Sequence, residues 1–103
     1  MRSSDVTSQS AASELQRVVR ARGDYAHVSV RARAGHLNVE VTNEQGACWI
    51  VARATPLGDG THGLSFRKHT GTYEPMPVSG TLEEVADGLT TLLGPYLNRA
   101  NLR

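Results

Sequence analysis

At 103 residues and 39% hydrophobic content, the chain is long enough for one modest core and too short to divide into two domains. A formal net charge of +1 excludes attraction of nucleic acid by a broad basic field, though it leaves room for a local patch. The single cysteine, Cys48, excludes an internal disulfide and suits a reducing, cytoplasmic setting, and no window approaches the roughly 18 to 20 apolar residues of a membrane helix.

Residues 1–9 are rich in Ser, Thr, Asp and Gln with little to bury, which predicts a frayed tail ahead of a single domain over residues 10–103. Ser8 or Ser10 can cap a helix in which Ala11, Leu15, Val18 and Val19 recur at three- and four-residue spacing, with Gly23 where a left-handed C-cap is needed. Arg17, Arg20 and Arg22 fall late in that segment and suit the negative end of the helix dipole. From Tyr25 the period changes to two: Ala26, Val28, Val30 and Ala32 alternate against His27, Ser29, Arg31 and Arg33, a strand with one wet face. Leu37, Val39 and Val41 resume the alternation and complete a hairpin. A loop at Ala34-Gly35 sets Arg31 opposite Asn38, and one at Gly35-His36 sets it opposite Glu40.

Ala47 to Thr55 is the only run apolar at both alternating positions, and it reads as the central strand, covered on both sides. A three-residue loop with a bulge would align Trp49 and Val51 with Val39 and Val41; a four-residue loop would align Cys48 and Ile50. Either way, the set that does not meet the helices leaves an apolar stripe on the far face. After a turn at residues 56–60, Leu64 and Phe66 mark a fourth strand. Lys68 to Gly80 reads as an ordered excursion packed by Tyr73, Met76 and Val78, with a short fifth strand around Thr70 to Tyr73. Thr81-Leu82-Glu83-Glu84 is a capping box, followed by a stripe of Leu82, Val85, Ala86, Leu89, Leu92 and Leu93 that Gly94-Pro95 ends or kinks.

The expected architecture is α+β: an antiparallel four- or five-stranded meander with the N- and C-terminal helices packed on one face. Chemistry is sparse. His27, His36, His62 and His69 have no metal-ligand spacing with one another or with Cys48, which is expected to be buried; no serine stands in a nucleophile elbow, and Gly58-Asp59-Gly60 precedes a strand and not a helix. No cofactor, metal or small-molecule substrate is indicated. An enzyme would need a cleft at Lys68 to Met76 where His69 and Tyr73 converge.

The candidate site is therefore the open sheet face, with His27, Arg31, Arg33, Arg53 and Arg67 beside Trp49, since arginine next to an exposed aromatic is common at protein interfaces. These residues predict a non-enzymatic, adaptor- or chaperone-like interaction protein that takes a protein partner and forms a homodimer through that face. The alternative is a nucleic-acid-binding module using the same arginines.

Overall fold

The computed structural model describes residues 3–97, with side chains described from residue 8 onward. In chain order the elements are α1 (Ser3–Arg20), β1 (Val28–Arg33), β2 (His36–Thr42), β3 (Cys48–Pro56), β4 (His62–Arg67), β5 (Tyr73–Gly80), α2 (Leu82–Leu92) and the short α3 (Gly94–Leu97). The strands form one antiparallel five-stranded sheet in the order β1-β2-β3-β4-β5. This is the α+β meander expected from the periodicities.

The β1–β2 turn is Ala34-Gly35, with φ of 51° and 82°, the two left-handed residues that a right-twisted hairpin favours. Arg31 accordingly pairs with Asn38. In the β2–β3 loop the Asn43 N–H donates to the Ala47 carbonyl, and Gly46 takes φ 87°, so the loop has three residues with the glycine left-handed. The Asn43 side-chain oxygen also accepts from the N–H groups of Gln45 and Ala47, which stiffens the loop.

β3 then contains a bulge. Val39 pairs with Ala52, but Glu40 pairs with Ile50, which leaves Val51 as an extra residue. Val51, Ala52 and Ala54 are all buried, while Cys48 is exposed. The doubly apolar run is thus not a strand covered on two sides. Its alternation is broken so that Val51, Ala52 and Ala54 reach one core, while exposed Cys48 and half-buried Ile50 stay on the far face without making a full apolar stripe.

Three further expectations are corrected. α1 opens at Ser3, inside the stretch read as a tail, because extending an anchored helix adds one hydrogen bond for each residue fixed. It ends at Arg20, and Gly23 is not left-handed. The fifth strand runs over Tyr73–Gly80 and not around Thr70 to Tyr73; Pro75 and Pro77 are tolerated there because β5 is an edge strand whose outer N–H groups need no ladder partner.

The helices cover the face that carries Val28, Val30, Leu37, Val39, Val41 and Leu64, with Leu15 and Val19 of α1 and Val85, Ala86 and Leu89 of α2. α1 packs on β1 and β2, α2 on β4 and β5, and the helices touch each other, with Arg22 paired to Asp87. α2 starts with the capping box expected: the Glu84 N–H donates to Thr81 Oγ1 at 3.3 Å, and the Thr81 N–H donates to Glu84 Oε1 at 3.1 Å. Of its apolar stripe only Leu92 turns outward, 47% exposed. The outer edge of β1 is also occupied. Gln16 Oε1 accepts from the Val30 N–H, and Arg20 Nε donates to the Val28 carbonyl, each at 2.9 Å.

Gly88 lets α2 approach β5, since a Cβ there would stand 2.6 Å from Val78 Cγ1. Gly88→Ala is expected to destabilise the fold by about 1 kcal/mol net, overpacking of about 2 less the roughly 1 that alanine gains in a helix, read as a lower urea midpoint. His62 is buried, and burial holds its pKa below the ordinary histidine value. The unfolded chain therefore binds a proton at higher pH than the folded one, so stability is full above about pH 6.5 and falls as pH drops from there through the folded-state value. The urea midpoint should fall between about pH 7.5 and about pH 5.5, and His62→Gln should remove part of that fall.

Candidate functional site

Two surfaces remain once the core is closed, one on the open face and one at the β3–β4 end of the sheet, and they share Arg67 at their junction. The first is the open face. Arg31, Asn38, Arg53, Ser65 and Pro75 are linked by direct pairing into one row across all five strands, so they share a face. Arg33 is two residues from Arg31, and Arg67 is two from Ser65, so both join it. Arg67 pairs with Tyr73, which brings that ring onto the same side.

The electrostatics of this face are one-sided. Glu40 is the only carboxylate its strands contribute, since Glu74 pairs with Phe66 and belongs to the other side. Arg31 Nε reaches Glu40 Oε1 diagonally at 3.4 Å, so the arginine has a carboxylate although it stands opposite Asn38. The pair is largely solvated on the arginine side and worth about 0–1 kcal/mol. The Cys48 thiol donates to the same carboxylate at 3.3 Å. The Arg53 guanidinium lies over the Tyr73 ring, 3.8 Å from its centroid, and that of Arg67 is 6.0 Å from it. Among the described residues Arg33, Arg53 and Arg67 make no ion pair, and Arg53 Nε is buried without a hydrogen-bond partner.

The second surface is a cleft of roughly 1000 Å³ where β3 begins and β4 ends, closed on one side by α3. Trp49 pairs with Val41, a core-facing residue, so the bulge turns the indole to the helix side. There it meets Phe66, Pro95 and Tyr96, and the Phe66 and Tyr96 rings stand 5.1 Å apart at 57°. Trp49 is 37% exposed and Tyr96 54%. Arg67, Lys68 and His69 form the basic rim.

The structure therefore brings Arg31, Arg33, Arg53 and Arg67 together and separates two residues from them. Trp49 lies on the opposite face because the bulge inverts its side. His27, expected on the wet face, is buried just before β1, with Nε2 against the Leu97 carbonyl and its ring 6.4 Å from that of Tyr25. It ties the C-terminal turn to the sheet. His69 lines the cleft while Tyr73 stands on the far face, so that pair does not converge. Sequence reasoning missed Tyr96 as a site residue; the signal was an aromatic directly after the helix-ending Gly94-Pro95, where the chain turns back over the sheet end. It also missed the Arg53–Tyr73 stack, because β5 was expected in the wrong place.

Among the described residues no group of three or more His, Cys, Asp or Glu could hold a metal ion, and no helix is long and apolar enough to cross a membrane. Comparison with protein-family models, curated proteins and solved structures finds no match.

Because Cys48 is exposed, a disulfide thiol reagent should titrate it in the folded protein at a rate close to that in urea. A reaction that waits for unfolding would show the β3 bulge to be misplaced.

Proposed function

We propose that the protein is a non-enzymatic, adaptor- or chaperone-like interaction module whose contact site is the aromatic cleft of Trp49, Phe66 and Tyr96. The observation that carries this reading is the bulge at Val51, which turns the only tryptophan of the chain into an open concavity where it remains 37% exposed. Exposed aromatics clustered in a groove are characteristic of surfaces that bury against a partner, and Trp and Tyr are the side chains that most often dominate binding energy there.

The rim indicates what the partner carries. Arg67, Lys68 and His69 surround an apolar floor, and the nearest ion pair, Lys68 Nζ to Glu74 Oε2 at 3.6 Å, is solvent-exposed and readily exchanged. A protruding segment with an apolar or aromatic anchor flanked by Asp or Glu matches both features. Two copies offering the same concave cleft to each other would fill neither, so a second copy is the weaker occupant. A homodimer through the open face is the less favoured reading, because that face keeps only Ile50 and Cys48 of the apolar stripe and carries four arginines against one glutamate.

Panning a displayed peptide library against the full chain should yield sequences with an apolar anchor and acidic flanks that shift the Trp49 emission on binding. Trp49→Ala or Tyr96→Ala should weaken them by about 2 kcal/mol, roughly 30-fold in Kd. Binding indifferent to both substitutions would refute the cleft. Sedimentation of the free chain as a dimer that dissociates on Trp49→Ala would identify a second copy as the occupant instead.

A further inference from the structure

We infer that the open sheet face is a second binding site, for single-stranded nucleic acid, with phosphates held by Arg33, Arg53 and Arg67, the last shared with the rim of the cleft, and a base seated against the Arg53–Tyr73 stack. Two guanidinium groups converge on one tyrosine ring, at 3.8 and 6.0 Å, with no carboxylate paired to either among the described residues. Like charges held this close repel each other, and an anion placed between them turns repulsion into two charge-assisted contacts. Arg33, also without an ion pair, extends the basic track to the far strand.

Three features select the ligand. A protein partner anchors through apolar side chains, and this face offers only half-buried Ile50 and Tyr73, the Cys48 thiol and Pro75 at its edge. What it offers instead are planar cationic and aromatic groups on which bases of any sequence can stack. The sheet cannot enter a duplex major groove as a unit, since five strands at about 4.8 Å spacing span about 19 Å against a groove of roughly 12 Å, and a single strand leaves its bases free to stack. The net charge of +1 means that attraction is local, so affinity rests on these few contacts.

The test is fluorescence anisotropy of the full chain with a labelled single-stranded oligonucleotide of about 12 nucleotides, as RNA and as DNA. With three phosphates neutralised, raising salt from about 50 to about 200 mM should weaken binding roughly 20-fold. Arg33→Gln with Arg53→Gln should reduce that salt effect to roughly threefold, and Tyr73→Leu should lower affinity at least fivefold while leaving the salt effect unchanged. Trp49→Ala should leave both quantities unchanged, which separates this site from the cleft; circular dichroism confirms that each variant is folded. No anisotropy change up to ~100 µM protein at low salt would overturn the inference. So would poly-glutamate of equal length competing as well as the unlabelled oligonucleotide, with binding indifferent to Tyr73→Leu, because that pattern marks a site for acidic protein.

Discussion

One extra residue, Val51, decides which side of the sheet the first half of β3 presents to the core. Carrying the alternation back from Ala54 and Ala52 without a bulge would put Ile50 and Cys48 inside and Trp49 and Val51 among the arginines. With the bulge, Val51, Ala52 and Ala54 are buried together and Trp49 follows them to the helix side. The bulge exchanges burial of Ile50 and Cys48 for burial of Val51 and disrupts a ladder hydrogen bond worth about 1 kcal/mol. The two candidate surfaces are consequences of that choice. One side of the sheet collects Trp49, Phe66 and Tyr96, the other collects the guanidinium groups with Tyr73, and Arg67 stands where the two meet.

The edges of the sheet are closed to strand addition by different means. At β1 the helix that packs on the sheet also reaches over its rim, with Gln16 and Arg20 taking a backbone N–H and a carbonyl that a further strand would use. At β5, Pro75 and Pro77 have no N–H to offer. Addition of a sixth strand is therefore disfavoured at both edges.

The fold was largely legible in the sequence because its signals are local. The capping box at Thr81 and the glycine at 46 each depend on residues a few positions apart, and those elements formed where these residues stand, whereas the strand read from the period change at Tyr25 starts only at Val28. The candidate site was only half legible. Four arginines on one face followed from alternation in strands of known type, but the positions of Trp49 and His27 depended on events that alternation does not encode: a bulge whose benefit is set by the opposing strand, and a chain end that folds back so that Leu97 meets His27. β5 was misplaced because two prolines argue against a strand until it is known to lie at an edge.

The covering of the β1 edge also bears on how the protein is made. Gln16 and Arg20 precede β1 in the chain, so the edge they cover can be protected as soon as β1 forms. The opposite side of the growing meander has no such guard. Each new strand is the bare edge until the next is synthesised, and β3, the most apolar, waits for β4 with only Arg53 to interrupt its run. α2 arrives last and meets α1 at the Arg22–Asp87 pair, across 65 residues. The hairpins, built from local contacts, can therefore form early, whereas the core between helices and sheet closes only once α2 has joined α1.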